Sequence, residues 1–186
     1  MTHEQVLKVK QESETDSEFI KATVDNLVAK YATDLDNFTV SVVKNLQLAS
    51  NARTMEQYTD DLIQNQVITL PTILYFAGNG LEDLGAENSV AEYKRKEVYN
   101  IAYAEAHGTI PDKKAQAEKL CENEQFLEEI YDRAYKKLKL KIEHGTRVLE
   151  SLKKVLDYRI TRMAKGKGYD PETYNRGGIG NESRQY

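Results

Sequence analysis

The stretch from Cys121 to Lys165 contains no proline, and its apolar residues recur at alternating steps of three and four. Leu127, Tyr131, Ala134, Leu138, Ile142, Gly145, Leu149, Leu152, Leu156, Ile160 and Met163 follow one such track, which places them on one stripe of a single long helix. At about 1.5 Å per residue that helix spans roughly 65 Å. A small domain is narrower than this, so other helices or other subunits must cover the stripe. Leu138, Ile142, Gly145, Leu149, Leu152, Leu156 and Ile160 are therefore expected to form a coiled-coil-like seam between subunits. Gly145 adds a local signal. A mid-helix glycine costs about 1 kcal/mol relative to alanine, so its place on the stripe predicts that another helix approaches too closely for a Cβ.

The other sides of the same helix are basic. From Tyr131 to Gly168 there are twelve Lys and Arg against four Asp and Glu, a local net charge of +8. Lys136, Lys137, Lys139, Lys141, Arg147, Lys153, Lys154, Arg159, Arg162, Lys165 and Lys167 ring the non-apolar faces, and only Asp132, Glu143, Glu150 and Asp157 can balance them from within the helix. Most of this charge reads as uncompensated, which suits a phosphate backbone. A plain solvated face or an acidic protein partner are the competing readings. The rest of the chain sharpens the asymmetry. Residues 1–90 carry six basic and fourteen acidic side chains, and residues 91–186 carry twenty and sixteen, so an anion belongs with the C-terminal half.

The chain divides into an acidic N-terminal helical region (1–68), a helical core (69–165) and a flexible Gly-rich tail (166–186). Residues 1–15 are polar and expected to fray. Helices are predicted from Asp16 to Tyr31 and from Asp34 to Ala49, with a short strand as the alternative for the β-branched run Phe38–Val43. Thr54-x-x-Gln57 reads as a capping box for a third helix, and Thr69-Leu70-Pro71 as the start of a fourth. Gly78-Asn79-Gly80 reads as a strong breaker. Ser89-x-x-Glu92 would then cap a helix running to His107, with Gly108 as its stop. Thr109-Ile110-Pro111-Asp112 restarts a helix that leads into the central one. The composition, with 40% hydrophobic and 30% charged residues and no Trp, favours helices that each bury one stripe over a single thick core. The expected fold is all-α, an elongated bundle of five or six helices with a long C-terminal coiled-coil-like helix.

Chemistry-bearing constellations are sparse. Cys121 is the only cysteine, so no intrachain disulfide can form, and a reducing cytoplasm is expected. His3, His107 and His144 have no metal-ligand spacing, so neither a metal nor another cofactor is predicted. Adjacent carboxylates such as Glu128-Glu129 and Asp60-Asp61 do not converge on one point of a helix. No phosphate-cradling loop follows Gly78-Asn79-Gly80, because the later glycines and the lysine are missing. The expectation is a non-enzyme without a membrane span. A second basic signal lies at Lys94, Arg95 and Lys96. Arg95, Tyr99 and Tyr103 sit at i, i+4 and i+8, so cations and flat rings share a helical face, as single-stranded nucleic acid requires. The rim of a core is the alternative reading of the tyrosines.

Lys94 to Gly108, KRKEVYNIAYAEAHG, resembles the basic-aromatic helix of the UvsY-type recombination mediators of tailed phages. Leu138 to Ile160 resembles the long leucine-striped helix with which that family ends. The likeness covers about half the chain, and this sequence adds some 70 N-terminal residues and a Gly-rich tail. The resemblance implies a ring-forming, non-catalytic homo-oligomer in the cytoplasm of an infected bacterium. It implies binding of single-stranded DNA, with Lys94, Arg95, Lys96, Tyr99 and Tyr103 as contacts, and a recombinase or a single-strand-binding protein as partner. The alternatives are a phage structural or assembly component and a small inhibitor that mimics DNA through its acidic half.

Overall fold

The computed structural model describes residues 3–50 and 58–166, with side chains described over 16–47 and 58–163. Four helices make up the described residues: α1 (His3–Ser50), α2 (Asp60–Glu105), α3 (Ile110–Leu120) and α4 (Glu122–Gly166). The all-α expectation holds, and the long C-terminal helix lies within one residue of its predicted ends. The capping box at Thr54–Gln57, the tail beyond residue 166 and the side chain of Lys165 lie outside the described residues. None of the four helices contains a stretch long and apolar enough to cross a membrane.

The helix count of five or six is corrected, because three expected breaks are absent and the predicted helices merge in two places. The two predicted N-terminal helices are one, α1, of 48 residues. Its run Phe38–Val43 is helical and not a strand. Thr39 donates its hydroxyl to the Leu35 carbonyl at 2.8 Å, which satisfies the side chain inside the helix, while Val42 is buried. The second merger is larger. Pro71, Gly78-Asn79-Gly80 and Ser89 all lie inside α2, a single helix of 46 residues. Ser89 caps nothing; its hydroxyl returns to the Gly85 carbonyl at 3.0 Å. Thr59 caps the true start of α2 by accepting the Leu62 N–H at 3.3 Å. Gly80 is glycine for space and not for a turn. A Cβ there would lie 2.4 Å from the ring of Tyr31 on α1.

Downstream, the local signals hold. Gly108 has a positive φ of 109° between α2 and α3. Asp112 accepts both the Thr109 N–H at 3.0 Å and its hydroxyl at 2.6 Å, which fixes the first turn of α3. These hydrogen bonds also hold the Asp112 carboxyl below its ordinary range. The buried Cys121 joins α3 to α4 as a single non-helical residue.

α1 and α4 run in the same direction and α2 runs against both, with α3 docked where α2 ends and α4 begins. Three core clusters follow one another along the bundle. Val24, Val28 and Ala32 meet Leu84, Ile130, Ala134 and Leu138 at one end. Leu35, Leu70 and Ala77 fill the middle, and Val42, Tyr58, Ile63 and Leu152 close the other end. This geometry revises the reason for expecting oligomers. Because residues 60–105 form one helix, α1 and α2 match the 45 residues of α4 and cover its stripe within the chain. Leu138, Gly145 and Leu152 are buried there, and Ile142, Leu149 and Leu156 are half-buried against α1 and α2. Only the ends, Leu127, Ile160 and Met163, remain exposed. The close approach predicted at Gly145 is present, but it is intramolecular. A Cβ there would lie 2.8 Å from Leu74 Cδ2 and 3.0 Å from Leu35 Cδ1.

Candidate nucleic-acid interface

The fold divides the predicted cations into paired and unpaired sets. Lys136 bonds Asp132 one turn away at 2.7 Å. Lys137 and Lys141 reach across to α1, where they pair with Asp25 and Asp36. The hydrogen bond from Lys137 holds the Asp25 carboxyl below its usual range. Arg159 is tied to Asp60 at 3.0 Å and to the Tyr58 carbonyl, with its guanidinium over the Tyr58 ring. The reading of α4 as largely uncompensated is therefore corrected for Lys137, Lys141 and Arg159, because a count along one helix omits carboxylates supplied by its neighbours; Lys136 is balanced from within α4. Among the described residues, Lys139, Arg147, Lys153, Lys154 and Arg162 make no ion pair.

Helical spacing sorts these five again. At about 100° per residue, Arg147, Lys154, Tyr158 and Arg162 fall within roughly 80° of one another, directly opposite the buried stripe. Lys139 and Lys153 point further round. Tyr158 is 67% exposed, and a groove of about 590 Å³ runs beside it, lined by Lys154, Arg159 and Arg162 and by Tyr58, Thr59 and Asp60 at the start of α2. Its one carboxylate, Asp60, is already neutralised by Arg159. Unpaired cations beside an exposed ring can neutralise phosphates and stack a base. Tyr158 was missed in the sequence, yet Lys154-Tyr158-Arg162 repeats the i, i+4, i+8 cation-aromatic pattern noted at Arg95.

The Arg95 motif has a different environment. Arg95 pairs with Glu128 of α4, and Lys96 pairs with Glu92, whose carboxyl is held low by that contact. Tyr99 and Tyr103 stack on each other with centroids 6.2 Å apart, both half-buried. Arg95 and Tyr99 line a groove of about 1000 Å³ together with Glu118, Glu122, Glu128, Glu129 and Asp132. Five carboxylates against Arg95 and Lys119 make this groove repellent to a phosphate backbone. Of the predicted contacts here, only Lys94 is both exposed and without an ion pair among the described residues. The helical face predicted for this motif exists, but its cation, Arg95, is already paired with Glu128.

Comparison with protein-family models, with curated proteins and with solved structures finds no match for this chain.

Proposed function

We propose that the chain binds single-stranded nucleic acid without catalysis, along the outer face of the C-terminal half of α4. The observation that carries this reading is the exposed row Arg147, Lys154 and Arg162, without carboxylate partners among the described residues and interleaved with Tyr158. The DNA contacts first expected at Arg95, Lys96 and Tyr99 move to this row, because their own surroundings are acidic. Service in phage-type recombination, as a mediator between a single-strand-binding protein and a recombinase in the bacterial cytoplasm, rests on the sequence resemblance. Self-association belongs to the same reading, through surface other than the covered α4 stripe. A structural or assembly role is the second reading, favoured by the apolar side chains left uncovered on α2.

A gel-shift titration with single- and double-stranded oligonucleotides tests the proposal. Single-stranded DNA should bind more tightly, with log affinity falling linearly as log salt rises. Replacing Lys154 and Arg162 together with Gln should make that slope shallower by about 1.4, two contacts at about 0.7 each for single strands. A wild-type protein that fails to retain single-stranded DNA at low salt overturns the proposal.

A further inference from the structure

The buried side of α2 faces α1 and α4, which leaves an outer face with an unusual load of large apolar side chains. Ile68, Tyr75, Phe76, Val90, Tyr93 and Ile101 are each more than half exposed. At about 100° per residue they fall within roughly 100° of arc, so they form one stripe. Their combined exposed surface is on the order of 700 Å², near the roughly 800 Å² that each partner contributes to a standard protein interface.

The order of residues along this stripe indicates what covers it. About a point between Leu84 and Gly85 the stripe is close to palindromic in chemistry. If a second α2 is laid antiparallel with its two-fold axis at that point, Ile68 faces Ile101 and Phe76 faces Tyr93. Lys94, which makes no ion pair among the described residues, then faces the ring of Tyr75, a cation over an aromatic face. Of the charges in and beside the stripe, Asp83 falls on Ala86 and Glu97 on Thr72, while Glu82 and Glu87 meet only at its two edges and Val90 falls on Asn79. A parallel pairing would instead set Asp83 on Asp83, Lys94 on Lys94 and Glu97 on Glu97, each a like-charge contact. A two-fold interface uses the same patch on both copies, which this pattern satisfies and a random apolar patch does not.

We infer that the outer face of α2 is the seam of an antiparallel homodimer of this chain. The pairing leaves the outer face of α4 open on both copies, since α4 lies against the opposite side of α2. The dimer therefore stands independently of nucleic-acid binding.

Sedimentation equilibrium of the full chain at tens of micromolar, without nucleic acid, should give twice the 21.3 kDa monomer mass. Phe76→Glu and Tyr93→Glu, made separately at exposed positions, should each weaken self-association at least tenfold with helical circular dichroism unchanged. Spin labels on an Asn100→Cys variant, with the buried Cys121 left in place, report the direction. Antiparallel pairing sets the two labels about 45–50 Å apart, because position 100 faces position 69 of the partner. Parallel pairing sets them within about 20 Å. A monomer mass for the wild type, which would leave the stripe for a different protein, overturns the inference. So does a dimer indifferent to both substitutions, or a short label distance.

Discussion

The three glycines Gly78, Gly80 and Gly145 all sit inside helices, where intrinsic propensity alone gives each the same penalty of about 1 kcal/mol relative to alanine. Their surroundings separate them. A Cβ on Gly78 meets nothing within 4 Å, so Gly78→Ala should recover most of that penalty and raise stability. At Gly145 the nearest atoms are methyl ends of Leu74 and Leu35, which can rotate away. Gly145→Ala should be close to neutral, whereas Gly145→Leu should lose about 1–3 kcal/mol by overfilling the core. At Gly80 the obstacle is the root of the Tyr31 side chain, with Cβ itself 2.6 Å away. Gly80→Ala should therefore be destabilising, by about 2 kcal/mol or more. Urea unfolding of the variants checks the order 78 above 145 above 80, and equal values at all three positions would refute it. Tyr58 gives a pH-dependent case. Its buried hydroxyl donates to Gln66 Oε1 at 2.9 Å, and burial raises its pKa above the ordinary 10.0, with the Arg159 charge opposing. The unfolded chain then ionises first, so the stability Tyr58 lends is complete below about pH 10 and falls as the pH climbs through the raised value. Tyr58→Phe should lose about 1–3 kcal/mol at neutral pH, because Gln66 is left buried without its partner. Its alkaline decline should be shallower than that of the wild type.

At the scale of elements, α4 was legible because its apolar period runs unbroken, and the start of α3 because Thr109 and Asp112 act locally. α2 was not legible. Pro71 and Gly78-Asn79-Gly80 carry the propensities of a helix start and a turn, but the packing of Leu70, Ala77 and Gly80 against α1 decides otherwise. At Gly80 the missing side chain is what lets α1 come close, and sequence spacing cannot distinguish that use from a turn. The merger then propagated, since a short α2 would have left the α4 stripe bare and forced a partner onto it. The ion pairs between α1 and α4 were hidden for a related reason: Asp25 and Asp36 lie more than 100 residues from Lys137 and Lys141. These pairs lie at the solvent-exposed surface, so each is expected to contribute only weakly to stability. Lys137→Gln and Lys141→Gln should each lower stability only slightly, with a smaller loss in high salt. Because both lysines are already neutralised, the salt slope of nucleic-acid binding should change less than for Lys154→Gln. An equal change in slope would mean that the α1 carboxylates release their lysines to phosphate.

Across the whole molecule the charge is polar in a way that a half-by-half count only outlines. The acidic groove around Arg95 and Tyr99 lies where α2, α3 and α4 meet, while the basic row with Tyr158 lies at the other end of α4. Two tyrosines of similar sequence context therefore occupy opposite electrostatic settings, and substitution distinguishes them. Tyr158→Ala removes an exposed ring that supports no core cluster, so fold stability should hold. Affinity for single-stranded DNA should drop by about 1–3 kcal/mol with the salt slope unchanged, because stacking releases no counterions. Tyr99 is half-buried against Tyr103 beside five carboxylates. Tyr99→Ala should cost stability without a specific loss of DNA affinity, once the folded fraction is matched by circular dichroism. The reverse outcome, affinity lost at Tyr99 and kept at Tyr158, would return the binding site to the Lys94–Gly108 helix and require the acidic groove to rearrange on binding.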